Sequence, residues 1–217
     1  MLALFDVDGT LFLTHDPLSS RALLETLRER YPVDPPDDAV EGVDHAGQTA
    51  KRIARLVLQA EGLPDAAIDR RLDEWCEAFG ARYVELLDSA DTSGWQLAPG
   101  AEDALTSLEQ AGVHLALLTG NPEPMARARM LHLGLDRFFP SGQGAFGCDA
   151  EDRAALIDLA RERARGWPAE RTVEIGDTQR DYETARAAGV RSIVVPSART
   201  SDLAQAASTI LAWNGRS

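Results

Sequence analysis

Apolar positions fall into three regimes along the chain. Leu2 to Phe5 is a short unbroken apolar run, the pattern of a strand buried on both faces, and it ends at Asp6 and Asp8. The spacing then turns helical. Ser20 is placed to cap a helix reaching about Arg30, with Leu23, Leu24 and Leu27 on one face. Three prolines and three aspartates between Tyr31 and Ala39 predict a loop. A second helix is expected from about Gln48 to Ala60, with Ile53, Leu56 and Val57 inward. A third, longer pattern over about Ala66 to Leu87 carries Ile68, Leu72, Trp75, Phe79, Val84 and Leu87. No strand pattern lies between Leu13 and Leu97, so this stretch of about 80 residues reads as an all-helical module.

From Ala98 the rhythm alternates. Pro99-Gly100 opens a helix over about Ala101 to Gln110, and Gly112 stops it. Val113 to Leu118 reads as a strand ending in Thr119-Gly120-Asn121, followed by a helix from Pro122 to about His132, closed by Gly134. Asp152 to about Arg163 is another helix, its leading acidic residues suited to an N-terminus. Arg171 to Ile175 is a strand ending in Gly176-Asp177, then come a helix to about Ala188 and a strand over Arg191 to Val195. Leu203, Ile210 and Trp213, in the tail after Pro196, predict a terminal helix on the core. Strand, helix, strand with short connections predicts a parallel sheet covered on both faces, in an α/β fold.

Composition narrows the partners. A formal charge of −13 over 217 residues argues against nucleic acid and acidic membranes, which need clustered cations. No stretch approaches the roughly 18 apolar residues that span a bilayer. Cys76 and Cys148 are far apart and form no CxxC, which points to neither a zinc site nor a disulfide framework, and the expected setting is cytoplasmic. Lys51 is the single lysine among 22 basic residues.

The candidate chemistry lies where strands end. Asp6 and Asp8, two residues apart, point to one side of a strand's carboxyl end, and Gly9-Thr10 turn the chain away. Ligands of open α/β sheets bind outside that edge. Thr119-Gly120-Asn121 offers a hydroxyl, an amide and backbone N–H groups entering a helix, which suits phosphate but equally an ordinary strand-to-helix turn. Asp177 and Asp181 sit four apart at a helix start, a spacing that also suits the helix dipole. His15 falls where the chain enters the helical module, and His114 lies inside a strand pattern, as a buried structural histidine would.

Phe5-Asp6-Val7-Asp8-Gly9-Thr10-Leu11, Leu117-Leu118-Thr119-Gly120-Asn121 and Ile175-Gly176-Asp177 with Asp181 resemble, in order, motifs one, two and four of the haloacid dehalogenase-like superfamily. The helical module is similar to the cap of its phosphoglycolate phosphatase-like members. The resemblance implies a Rossmann-like parallel-sheet core over residues 1–14 and 97–217, with an all-helical cap domain inserted over 15–96. It implies Asp6 as nucleophile, forming an aspartyl-phosphate, and Asp8 as acid and then base. Asp6, Asp8 through its carbonyl, Asp177 and Asp181 would hold Mg²⁺, while Thr119, Gly120 and Asn121 would hold the phosphoryl group.

Four aspartates and a phosphate ester need that divalent ion and a protein cation besides, because like charges within about 4 Å repel by several kcal/mol at an effective dielectric near 20. The family's cation is a lysine between motifs two and four, and this chain has none there. Arg153 stands at the corresponding helix start, with a planar fork in place of a point charge; surface pairing with Asp149 or Asp152 is its alternative. Glu41 to Thr49 is similar to the cap loop that contacts substrate, which makes Asp44, His45 and Lys51 candidates; the same glycines also suit a helix-to-helix turn.

A dehalogenase would lack the second aspartate, Asp8. The expectation is a Mg²⁺-dependent phosphatase of a small organic phosphate monoester such as phosphoglycolate, acting as monomer or homodimer. A phosphosugar mutase of the same superfamily, or a silent phosphate-binding relative, are the alternatives.

Overall fold

The structure, a computed structural model, describes residues 1–195 and 202–215, with Asp202 described by its backbone alone. Four short strands, β1 (Leu2–Phe5), β2 (His114–Leu117), β3 (Thr172–Gly176) and β4 (Arg191–Val194), pair in the order β2-β1-β3-β4, every neighbour parallel. Alternation along the strands divides the core in two. Ala3, Phe5, Leu115, Leu117, Val173 and Ile175 pack on one face, with α5 (Ala101–Gln110), α6 (Glu123–His132) and α9 (Asp202–Asn214). Leu2, Leu4, Ala116 and Leu118 face α7 (Arg153–Arg163) and α8 (Gln179–Ala187). The register sets Phe5 beside Leu117 and Ile175, so the residues that follow each strand emerge at one edge.

Between β1 and α5, the helices α1 (Pro17–Arg30), α2 (Ala50–Ala60), α3 (Asp65–Asp69) and α4 (Leu72–Leu87) bury Leu23, Leu27, Val57, Ile68, Trp75 and Phe79 against one another, in a cluster of their own that the core enters through Met125. The predicted terminal helix is α9, with Leu203 and Ile210 buried; Pro196 lies outside the described residues.

Three expectations are corrected. The first helix starts at Pro17 under an Asp16 cap, whose carboxylate accepts from Leu18 N–H at 3.0 Å, and Ser20 lies inside it; proline at the first position is already set for helical φ. The third pattern breaks into α3 and α4 because the Ile68 carbonyl, which a continuous helix would give to Leu72, accepts from the Tyr31 hydroxyl at 2.9 Å and from Arg71 N–H at 3.1 Å.

The third correction concerns the cysteines. Cys76 of α4 and Cys148, 72 residues apart, form a disulfide. Spacing hid it because the approach of α4 to the loop before α7 is a tertiary contact. The pairing also removes cysteine content as an argument for a cytoplasmic setting. Among the described residues no helix is long and apolar enough to cross a membrane.

Candidate active site

Each strand end contributes a polar group to the same edge. Asp6 follows β1, is 6% exposed, and is fixed by its own N–H on Ile175 O at 2.9 Å. Gly9 turns the chain with φ +77°, and a Cβ there would lie 2.1 Å from an Asp177 carboxylate oxygen. That glycine therefore lets the loop after β1 close on the carboxylate after β3. Asp181, in the first turn of α8, has one oxygen committed to a capping box, accepting from Thr178 N–H at 2.9 Å. Carboxylate oxygens of Asp6, Asp177 and Asp181 lie within 4.8 Å of one another.

Arg153, 5% exposed at the start of α7, meets this group from below. Its Nη2 lies 2.5 Å from Asp181 Oδ1, 3.4 Å from Asp6 Oδ1 and 3.9 Å from Glu174 Oε1. The surface alternative is gone, because Asp149 pairs with Arg163 at 2.7 Å and Asp152 caps α7. Glu174 is fully buried in β3, on the α7 face, and neither of its oxygens has a hydrogen-bond partner.

One guanidinium among four carboxylates leaves excess negative charge. Burial, then the neighbouring carboxylates, push Asp6 up to about 8 in spite of Arg153. Burial does the same to Glu174, also to about 8, and burial with Asp181 lifts Asp177 to about 6. The buried Asp177 Oδ1 has no hydrogen-bond partner. An all-oxygen set short of positive charge, with an unpartnered oxygen, suits a hard divalent cation. Such an ion requires ionised carboxylates, so binding must release protons. Affinity for a divalent cation is accordingly expected to rise between pH 6 and 8, as the raised values of Asp177 and Asp6 are crossed. Calorimetry in two buffers of different ionisation enthalpy would show that release; equal heats would refute it. The sign for stability is opposite. These carboxyls hold protons in the native state that the unfolded chain has lost above its value of 3.8, so the metal-free protein loses stability as pH climbs towards 8.

The remaining candidates separate. Thr119 is buried, and its Oγ accepts from Asn121 N–H at 3.3 Å and from Asn121 Nδ2 at 3.1 Å. Asn121 Nδ2 also donates to Asp8 Oδ2 at 2.5 Å. Gly120 is the docking point of α2. Its carbonyl accepts from Ala50 N–H at 2.8 Å, and a Cβ there would sit 2.0 Å from Gln48 O. Asp8 lines the same cavity, with its carboxylate accepting from Asn121 and Arg129. His45 and His15 line a cavity of about 510 Å³ above Asp6, whereas Asp44 lies outside its lining, paired with Arg180 at 2.9 Å. Lys51 pairs with Asp73 at 2.6 Å. His114 is half-buried beside Trp167.

Three buried charges were missed by sequence reasoning: Glu174, Arg129 and the helix-capping Asp16. Glu174 had a signal, a carboxylate between Val173 and Ile175 in a strand otherwise buried. Arg129 had none, since it is one of three arginines within Arg127 to Arg137 on a chain rich in that residue.

The family model for haloacid dehalogenase-like hydrolases matches residues 1–189. Phosphoglycolate phosphatase of Pseudomonas putida is 30% identical over 199 residues, covering 88% of this chain and 68% of that one. Tyrosine-protein kinase PtkA of Mycobacterium tuberculosis is also 30% identical, over 198 residues, covering 89% of this chain and 61% of the kinase. Among solved structures, CbbY from Rhodobacter sphaeroides in complex with phosphate superposes with a TM-score of 0.62 at 26% identity, covering 94% of this chain and 90% of CbbY. The chain belongs to the haloacid dehalogenase-like hydrolases, as a phosphatase of the phosphoglycolate phosphatase-like branch.

Proposed function

We propose that the protein is a Mg²⁺-dependent phosphatase that hydrolyses a small organic phosphate monoester through an aspartyl-phosphate on Asp6. The observation that carries this reading is the convergence of Asp6, Asp177, Asp181 and Arg153 at one sheet edge, below a cavity roofed by the helices of residues 17–87. An Asp6 oxygen attacks phosphorus, and the ester oxygen departs with a proton from Asp8. Asp8, now ionised, takes a proton from water; that water attacks the acyl-phosphate, releasing inorganic phosphate and regenerating Asp6. Thr119 Oγ and the N–H groups after it hold phosphoryl oxygens, and Arg153 opposes the charge that gathers beside Asp6. Asp6, Asp177, Asp181 and the Asp8 carbonyl would hold Mg²⁺, which when bound would supply the further positive charge those oxygens need.

The roofed cavity favours a small phosphorylated metabolite over a macromolecule. Phosphoglycolate is the first ester to try, on the likeness to phosphoglycolate phosphatases; the CbbY structures hold phosphate in one case and xylulose-1,5-bisphosphate in another. The test is release of phosphate from p-nitrophenyl phosphate and phosphoglycolate, with Mg²⁺ and with EDTA. Turnover abolished by EDTA and restored by Mg²⁺ is expected. Turnover indifferent to EDTA would sink the metal, and none on a panel of small esters would sink the reaction.

A further inference from the structure

Among the described residues Arg129 is the charged side chain most completely enclosed outside the Asp6 cluster, at 1% exposure, and the proposed chemistry leaves it without a role. Every nitrogen of its guanidinium is committed. Nη1 donates to Asp8 Oδ1 at 2.7 Å, Nη2 to Asp16 Oδ2 at 2.9 Å, and Nε to the Tyr83 hydroxyl at 3.0 Å. Tyr83 Oη in turn donates to Asp16 Oδ2 at 2.5 Å. The guanidinium plane lies over Phe12, 4.8 Å from the ring centroid, and 5.3 Å from that of Tyr83.

The four polar groups come from four parts of the chain. Asp8 belongs to the turn after β1, Asp16 caps α1 where the chain enters the helical module, Tyr83 lies on α4, and Arg129 lies on α6 of the sheet core. Asp8 is held between two donors, Arg129 on one oxygen and Asn121 on the other, so its carboxylate has one orientation. The forked guanidinium makes that orientation depend on Asp16 and Tyr83, because the plane cannot turn towards Asp8 without leaving them.

We propose that Arg129 is the positioning residue for Asp8, and that it makes Asp8's aim conditional on the seating of α1 and α4 over the site. A helical module lifted from the core takes Tyr83 and Asp16 away from the guanidinium. Asp8 then loses its fixed direction, and the proton transfers occur only with the roof in place. The inference rests on the phosphatase reading, in which Asp8 carries the proton.

The test compares two esters and two variants. Arg129→Gln keeps a donor and removes the fork; Tyr83→Phe removes a single hydroxyl and keeps the ring. Protonation of the leaving oxygen matters for an alkyl phosphate such as 2-glycerophosphate and little for p-nitrophenyl phosphate, whose leaving group departs unaided. In Arg129→Gln, kcat/KM for the alkyl ester is expected to fall by about 100-fold, the scale of lost general acid catalysis, and by less than about 10-fold for the aryl ester. Inhibition by inorganic phosphate is expected to stay within about threefold, since Arg129, although it lines the cavity, has each of its nitrogens committed to Asp8, Asp16 or Tyr83. Tyr83→Phe should follow the same pattern with a smaller loss, which keeps the test decisive even where Arg129→Gln does not fold. Equal losses on both esters, or none, would overturn the positioning role while leaving the phosphatase reading intact. A wild-type protein that hydrolyses neither ester would overturn both.

Discussion

Asp6→Asn is expected to lower turnover of p-nitrophenyl phosphate by about 10⁴-fold or more, the scale seen when a covalent nucleophile is removed. The amide has no anionic oxygen to form the acyl-phosphate, and no neighbour stands in for it. Asp8 faces Asn121 and Arg129, and Asp177 and Asp181 are committed to the carboxylate group. The fold should survive. Burial is the largest influence on Asp6 and opposes its ionised form, so a neutral amide of the same shape removes that penalty along with the attraction to Arg153. At pH 8 in EDTA the variant is expected to melt no lower than wild type, a result that separates lost chemistry from lost structure. Residual turnover above about 1% would move the nucleophile elsewhere and remove the aspartyl-phosphate from the mechanism.

What could be read in advance follows from how local each signal is. The strands and most helices were legible because burial on a sheet or a helix face imposes a period on the residues themselves. Asp6, Thr119 and Asp177 were legible as a set because parallel strands deliver their ends to one edge, whatever the distance along the chain. Arg153 was found by its place at a helix start, and its depth and triple carboxylate contact emerged only from packing. The pairing of Asp44 was illegible for the converse reason: a polar residue in a loop has no period, and its partner Arg180 lies 136 residues on. The break between α3 and α4 depends on one tyrosine hydroxyl arriving from the residue that follows α1. Such contacts leave no trace in spacing, and they include the ones that join the helical module to the core.

The strongest of those joints is covalent, and its removal has the second large effect. Cys76→Ser, Cys148→Ser and the double variant are each expected to lose about 4 kcal/mol of stability, from the chain-entropy relation for a loop of this size, the cysteines lying 72 residues apart. All three should match, because one bond is lost in each, and wild type in excess dithiol should match them too. Noncovalent joints remain besides the buried contacts of Arg129 with Asp16 and Tyr83. Lys51 N–H donates to Gly147 O at 3.3 Å, Thr49 Oγ to Glu151 O at 2.9 Å, and Arg55 pairs with Glu151 at 2.6 Å. Urea unfolding with and without reductant measures the difference directly, and a thiol titration of the native protein should find no reactive cysteine until the dithiol is added. Serine variants that are destabilised while reduced wild type is not would trace the loss to the packing of Cys76 on α4, and an unchanged midpoint in all of them would show that the bond does not hold the helical module to the core. Because Cys148 lies five residues before Arg153, the same cleavage frees the loop that leads into the charge beside Asp6. The stability loss should therefore be accompanied by a lower kcat at unchanged Mg²⁺ affinity, since the three carboxylates that would bind the ion stand on β1, β3 and α8, outside the loop the disulfide closes.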